Sequence, residues 1–437
     1  MRTLETVART LTLAFAATTA MWMFSYVSLL FAGPSSGEVL FILAGLSLAY
    51  AGVVNATCGG SSLQSVWIGS ISAFLNLMLL GSLVGGSGSE EMFSKGFLWF
   101  ALLFGGSVGL TFIGSKVGSS MRPNLARVDW QYRFFVTAAV LVFLMLVTGG
   151  LVTGMEAGLA VPDWPNSYGH NMLLYPLTEM VSSENEGVFY EHAHRLTGMF
   201  VGITSLVLLA CAFRWSTRKT MRTVATVIFL LVCLQGLLGG LRVTGHLTLS
   251  QDRELLNPNV WIGVVHGVVG QLIFAGFVWL AAMMAPSWRA GLTEKTTNSK
   301  DVLFGWLLLG SMVFQLVLGA VYRHMLGVET LAPKATHVLY THIAVAFLVL
   351  IFAVLFGLRL RDRGMYPLKT FGVIILALVG LQLLLGGGAL IAVLLQSGDH
   401  IPMYEVILTT LHQANGALLL GASAAGLAWA RWARSLQ

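Results

Sequence analysis

Four histidines in this chain of 437 residues recur in one setting, a few residues inside a long apolar segment and four positions before a glycine or alanine. An ionisable side chain in lipid is costly and usually functional, and imidazole is an axial ligand of haem iron. Residues four apart share a helical face, so the small residue would leave room for a flat porphyrin. The recurrence predicts two haem sites between opposed histidines, and the pairs in the sequence are His194 and Gly198, His266 and Gly270, His342 and Ala346, and His412 and Gly416.

A carboxylate and three arginines accompany the histidines. Glu191 precedes His194 by three residues, which places both on one helical face. A carboxylate there could accept a proton or orient a water beside a bound porphyrin, and the alternative is a glutamate stabilised by the dipole at a helix start. Arginine suits bidentate binding of carboxylates, so haem propionates or the membrane interface would be the partners of Arg195, Arg242 and Arg323.

The composition sets these residues in a membrane, because 56% hydrophobic and 10% charged residues could not cover a soluble protein of this length. A helix that crosses a bilayer needs roughly 20 apolar residues. The sequence therefore predicts an all-α polytopic membrane protein. Twelve spans are predicted, near residues 10–32, 38–58, 65–86, 96–115, 132–153, 192–214, 221–242, 260–286, 302–323, 335–358, 369–396 and 403–430.

Lysine and arginine collect in alternating loops, which predicts that those loops and both termini are cytoplasmic. The longest loop, residues 154–190, contains neither residue and is predicted to lie on the outer face. The chain would therefore reside in the cytoplasmic (inner) membrane, and its net charge of +6 needs no nucleic-acid partner. At roughly 1.5 Å of rise per residue, the four histidines share one layer about 6 to 15 Å below the outer surface.

Three regions follow from the repeats. Residues 1–121 form four predicted helices without histidine, to which no chemistry can be assigned. Residues 122–290 and 291–437 are predicted as two pseudo-symmetric four-helix bundles, each with one pair of the histidines. In both bundles a helix that ends in a glycine cluster precedes each histidine helix, and these clusters are Gly149-Gly150, Gly239-Gly240, Gly319-Ala320 and Gly386-Gly387-Gly388.

The remaining histidines lack the following small residue. We expect most of them to be solvated or at the membrane interface. For His324 or His337 a place at a haem edge is the alternative. The full set is His170, His192, His246, His324, His337 and His400.

An ordered set of motifs resembles one family. The segments are Gly149-Gly150-Leu151-Val152-Thr153, Ala157 to Pro165, Glu191-His192-Ala193-His194-Arg195, Gln235 to Arg242, His266-Gly267 and His412-Gln413. They are similar to the haem A synthases, the CtaA/Cox15 family, over about residues 130–432. The first four helices lie outside that core, and residues 154–190 lack the cysteine pair of some relatives.

The resemblance implies an enzyme that oxidises a methyl group of haem O to the formyl group of haem A, for cytochrome oxidase. By similarity, His194 and His266 would flank the substrate haem O, and His342 and His412 would ligate a resident haem b. Glu191 would be the essential carboxylate. The implied partners are a haem O synthase that supplies the substrate, an electron carrier of unknown identity and the lipid bilayer, with a homo-oligomer left open.

Two other function classes stay open at this stage. A di-haem cytochrome b that carries electrons from a quinol would hold two permanent haems b and modify no porphyrin. A transporter is suggested by the number of helices, but the repeats show no broken helices with charged residues at the midplane.

Overall fold

The computed structural model describes residues 2–30, 36–79, 89–123, 127–176, 179–180, 185, 187–245, 260–290, 297–328, 331–396 and 401–434. His246 and His400 lie outside these residues. Within the described residues, regular structure is helical apart from one short hairpin of two strands, β1 Asn166–Ser167 and β2 His170–Asn171, and a 3-10 turn Met172–Leu174.

Twelve long helices and one short helix, α9, make up the described fold. This architecture confirms the predicted all-α polytopic membrane protein. In chain order the helices are α1 Arg2–Leu30, α2 Ser36–Thr57, α3 Ser62–Leu79, α4 Ser89–Ser119, α5 Trp130–Gly154, α6 Gly187–Trp215, α7 Lys219–Thr244, α8 Val260–Met284, α9 Pro286–Ala290, α10 Ser299–Leu326, α11 Ala332–Asp362, α12 Leu368–Leu395 and α13 Met403–Arg434.

Helix α13 differs from the other long helices in composition. In the described part of the chain, the other eleven each contain a stretch long and apolar enough to cross a membrane, and α13 is not among them. Alanine, glycine, threonine and amide side chains replace large apolar residues in much of α13. The helix packs against α8, α10 and α12, and residues 419–430 are all buried. A helix covered by protein does not need the hydropathy of one that faces lipid.

The described residues form two compact units, Met1–Leu144 with Pro165–Cys211, and Met145–Trp164 with Ala212–Gln437. The boundary passes through α5 and α6, so each of these helices contributes to both units. The predicted domains 1–121, 122–290 and 291–437 stay a prediction. The predicted first bundle also stays a prediction, because its residues are divided between the two units.

In the first unit, polar side chains connect α1 to α3. The Thr18 and Ser72 hydroxyl oxygens are 2.8 Å apart, and Trp22 Nε1 donates to Asn76 Oδ1 at 3.1 Å. Because lipid offers no competing hydrogen bonds, such pairs help to hold membrane helices together. On α1, Phe15 also contacts an aromatic ring of α5, Phe134, at a centroid distance of 5.4 Å.

Helices α2 and α4 approach each other so closely that their contact excludes side chains. A Cβ atom at Gly114 of α4 would overlap the carbonyl oxygen of Ala49, and one at Gly52 of α2 would overlap that of Thr111. The missing side chains therefore allow backbone-to-backbone contact, as is common between membrane helices.

In the second unit, α10 to α13 form a closed four-helix bundle. Helix α10 contacts α11, α11 contacts α12, α12 contacts α13, and α13 contacts α10. Helices α11 and α13 therefore lie diagonally across this bundle. Helix α8 packs against α13 and α10, and α7 packs against α8.

A buried carboxylate fixes one end of this bundle. Asp301 in the first turn of α10 is fully buried, and its oxygens accept from Arg359 Nε at 2.8 Å and contact Arg363 Nη2 at 2.6 Å. The same carboxylate and the Asn298 side chain form a capping box. The two arginines supply the partners that a buried charge requires, so the start of α10 is tied to the end of α11.

The contact between α2 and α4 generates a stability prediction. Gly114→Ala should destabilise the protein by about 1 to 3 kcal/mol, because the new methyl group would force the two backbones apart. Thermal unfolding in detergent, followed by circular dichroism, should show a lower melting temperature. Gly106→Ala is the control on the same helix, since a Cβ atom there would have no neighbour within 4 Å. Equal melting temperatures for the two variants would contradict the argument.

Candidate haem site

Two predicted ligand histidines face each other in the bundle of α10 to α13. The rings of His342 on α11 and His412 on α13 have centroids 6.4 Å apart and an interplanar angle of 66°. Two imidazoles bound to opposite sides of one metal, each at a nitrogen–metal distance of about 2 Å, would have centroids about 6 Å apart. The separation therefore fits two axial ligands of one iron. The described residues contain no group of three or more His, Cys, Asp or Glu able to hold a metal ion, and two axial histidines do not require one.

Each of these imidazoles lies against a glycine of the preceding helix. A Cβ atom at Gly319 would lie 3.0 Å from His342 Cε1, and one at Gly386 would lie 3.0 Å from His412 Cε1. These distances are shorter than ordinary contacts between carbon atoms. The glycine clusters found in the sequence thus provide the space into which the histidine rings fit.

His266 on α8 also lies beside a glycine of the preceding helix, at an ordinary contact distance. A Cβ atom at Gly239 of α7 would lie 3.4 Å from His266 Cε1. Three of the four histidines are therefore related to their glycine clusters in the same way. The fourth, His194, is half-buried on α6 in the other unit, and its predicted pairing with His266 stays a prediction.

A repeated glutamine supports each of these three histidines and was missed by the sequence analysis. Its amide nitrogen donates to the histidine's backbone carbonyl. In the sequence the glutamine stands four residues before the glycine that faces the ring, and this spacing was the available signal. At the first cluster Met145 takes its place before Gly149. The three bonds are Gln235 to His266 at 2.7 Å, Gln315 to His342 at 2.9 Å and Gln382 to His412 at 3.1 Å.

The small residue that follows each histidine has a different neighbour from the one expected. A Cβ atom at Gly270 would lie 3.2 Å from Gln235 Nε2, and one at Gly416 would lie 3.3 Å from Gln382 Nε2. At these two positions the small residue makes room for the glutamine, and its interpretation as room for a porphyrin stays a prediction. The sequence could not distinguish the two, because both need the same missing side chain.

The predicted carboxylate, Glu191, is buried in the first unit and paired. Its Oε1 lies 2.5 Å from Arg195 Nη2, and the two side chains are only 5% and 9% exposed. Arg195 Nη1 also donates to the carbonyl oxygen of Asn166 at 3.1 Å. The arginine predicted to bind a haem propionate therefore orients the carboxylate and bonds to the β1–β2 hairpin.

The neighbouring His192 is buried, contrary to the expectation of a solvated or interfacial ring. Its Nδ1 lies 3.2 Å from the hydroxyl oxygen of buried Ser167, and its ring contacts the Tyr175 ring edge-on at a centroid distance of 5.0 Å. Burial, followed by the charges of Glu179 and Tyr168, raises the pKa of Tyr175. The Tyr175 phenol therefore stays neutral at neutral pH.

The hairpin that supplies Asn166 and Ser167 turns through two left-handed residues. Tyr168 has φ 51° and Gly169 has φ 80°, and two positive values in a two-residue loop are typical of a type I′ turn. This turn sets the register in which Asn166 faces Asn171 and Ser167 faces His170. His170 itself is exposed, as expected.

The other two predicted arginines, Arg323 and Arg242, lie next to the last turn of α5 and the residues that follow it. Arg323 Nη2 donates to the carbonyl oxygen of Thr153 at 2.7 Å, and Arg323 Nη1 lies 3.7 Å from Glu156 Oε1. A Cβ atom at Gly158 would lie 3.3 Å from both terminal nitrogens of Arg242. Arg323 thereby satisfies carbonyls at a helix end, and propionate binding by either arginine stays a prediction.

His324 and His337 differ in their surroundings. The His324 ring lies against α8, where a Cβ atom at Gly263 would be 2.6 Å from His324 Cε1. Gly263 precedes His266 by three residues, so His324 lies beside the helical face that carries His266. His337 is exposed, in agreement with the expectation for most of these histidines.

Comparison with known proteins places this geometry in a family. Residues 132–424 match the COX15-CtaA family of cytochrome oxidase assembly proteins. The chain is 28% identical over 220 residues to the heme A synthase of Parvibaculum lavamentivorans and 25% identical over 218 residues to that of Bradyrhizobium diazoefficiens. Each match covers 44% of this chain, but only 61% and 58% of the length of those relatives.

A longer match covers the heme A synthase of Caulobacter vibrioides. It is 26% identical over 363 residues, which are 71% of this chain and 98% of that relative. The family match covers well over half of the chain and contains all four repeated histidines and the Glu191–Arg195 pair. The chain therefore belongs to the COX15-CtaA family of cytochrome oxidase assembly proteins.

Proposed function

We propose that this protein is a haem A synthase, which oxidises a methyl group of haem O to the formyl group of haem A. The observation that carries the proposal is the separation of 6.4 Å between the rings of His342 and His412 inside a four-helix bundle. That separation suits bis-histidine ligation of haem. Named relatives in the same family are heme A synthases.

A resident haem b between His342 and His412 is the first part of the proposal. Gly319 and Gly386 leave space beside the two rings, and bundle cores are common sites for such cofactors. When bound, the haem would supply one-electron chemistry. The protein's own contribution would be to hold the two rings at this separation and to exclude water.

At the substrate haem, we propose proton transfer by Glu191. Arg195 holds its carboxylate in one orientation, and the Asn166 carbonyl holds Arg195. Removing hydrogen from a methyl group releases protons as well as electrons, so a buried carboxylate with a fixed orientation is a suitable acceptor. By similarity to the family, His194 and His266 are the proposed residues that flank haem O.

The surroundings of the reaction complete the proposal. The loops rich in lysine and arginine and both termini would lie in the cytoplasm, and the hairpin would lie on the outer face of the cytoplasmic membrane. A haem O synthase would supply the substrate, and an external carrier would take up the electrons.

The direct test is to express the protein with and without a haem O synthase, purify it in detergent and identify the extracted haems by chromatography and mass. We expect haem A or its hydroxylated precursor only when haem O is supplied, because the methyl group to be oxidised belongs to haem O. Haem b alone under both conditions, in a folded protein, would instead indicate an electron-carrying cytochrome.

The role of Glu191 predicts a separation of activity from assembly. Glu191→Gln should lower haem A formation by about 100-fold or more, in the usual range for loss of a general base. Haem b content should stay normal, because Glu191 and the proposed haem b ligands belong to different units. The measurement is haem A produced per resident haem b, with exposed Glu38→Gln as the control. Normal haem A yield from Glu191→Gln would refute the role.

The hairpin predicts an effect on the same activity through backbone geometry. Gly169→Val should lower haem A formation about tenfold, because a β-branched residue is strained at φ 80° and Asn166 would shift away from Arg195. Gly169→Asn is the matched control, since asparagine tolerates this conformation. A Cβ atom at position 169 would have no neighbour within 4 Å, so both replacements begin in open space. Equal activities for the two variants would show that the hairpin does not position Glu191.

A further inference from the structure

The two histidines that face each other in the bundle have different polar surroundings. Gln315 reaches His342 only at its backbone carbonyl, and His342 Nδ1 is buried without a hydrogen-bond partner among the described residues. Gln382 also reaches the ring of its histidine. Its Nε2 lies 3.2 Å from His412 Nδ1 and 3.3 Å from His412 Nε2, in addition to the bond to the carbonyl.

A second amide fixes the orientation of Gln382. Asn415 Nδ2 donates to Gln382 Oε1 at 2.6 Å and to the carbonyl oxygen of Leu378 at 3.0 Å. Because Gln382 Oε1 accepts from Asn415, the Gln382 nitrogen is the atom turned toward His412. The residue at the same spacing after His342 is Val345, which cannot form such a bond.

We propose that Gln382, oriented by Asn415, is a positioning residue that raises the reduction potential of the haem b held by His342 and His412. This inference rests on the haem b site of the proposed function. When iron occupies one ring nitrogen of His412, the amide N–H remains beside the ring. Its partial positive charge withdraws electron density from the ligand, and polar groups around an axial ligand tune the iron in this way.

The sign of the effect follows from the charge on the iron. Oxidised haem iron carries one more positive charge than reduced haem iron, so a nearby donor destabilises the oxidised state more. The donor is present at His412 and absent at the His342 ring. The chain therefore makes its two axial ligands electronically unequal, and the amide at His412 favours the reduced haem.

The experiment compares Gln382→Leu with the matched control Gln315→Leu in the full-length protein purified with its resident haem. Redox titration followed by optical absorbance gives the midpoint potential of that haem. Removal of the amide's partial positive charge from beside the His412 ring should lower the ratio of reduced to oxidised haem at a fixed potential about fivefold in Gln382→Leu, a modest effect among those that partners of metal ligands have. At about 59 mV per tenfold change, this is a fall of about 40 mV. Gln315→Leu should move the potential by less than half as much.

Asn415→Leu keeps the glutamine but removes its orienting partner. Asn415→Leu should lower the midpoint potential by a smaller amount than Gln382→Leu. If Gln382→Leu does not retain haem, the potential of Asn415→Leu decides the test. An unchanged or raised potential in the Gln382 and Asn415 variants, or equal shifts for Gln382→Leu and Gln315→Leu, would overturn the inference and leave the proposed function intact. Wild-type protein without haem b, or an unchanged low-spin spectrum in His412→Ala, would refute the proposed haem b site itself.

Discussion

An imidazole inside a membrane bundle can point at an opposite imidazole only where the neighbouring helix leaves it space. The other proposed features of the haem site depend on this steric condition. Gly319 and Gly386 meet it for the facing pair His342 and His412, and Gly239 meets it for His266. A larger residue at Gly319 or Gly386 would force the histidine ring or the helix to shift, whereas a Cβ atom at Gly239 would be in ordinary contact with its histidine. The glycine clusters are therefore part of the ligand geometry.

Each of these three histidines is contacted at its backbone carbonyl as well as at its ring. A glutamine on the preceding helix donates to the histidine's carbonyl, and where the following small residue is glycine, that residue lies against the glutamine. The histidine, the facing glycine, the glutamine and the following small residue thus form one packing unit. The histidine, the glycine and the glutamine repeat on three helix pairs, and the following glycine completes the unit at His266 and His412.

The sequence predicted the features that recur within one helix or between neighbours in the chain. The membrane architecture and the histidine repeat fall in this class. The glutamines were missed although their spacing was visible, because a lone amide on an apolar helix has no distinctive chemistry until its partner is known. The burial of His192 depends on Ser167 and Tyr175, which approach it from a loop. The pairing of Glu191 with Arg195 follows helical spacing, whereas the bond from Arg195 to Asn166 depends on a turn with two positive φ angles.

The composition of α13 has a consequence for biogenesis. The helix contains no stretch as apolar as those of the other eleven long helices, and its buried residues 419–430 pack in the second unit. The helices that cover it, α8, α10 and α12, all precede it in the chain. Because α13 carries His412, the second imidazole reaches the membrane only after the helix of His342 has been synthesised. Completion of the facing pair is thus coupled to the assembly of the surrounding bundle.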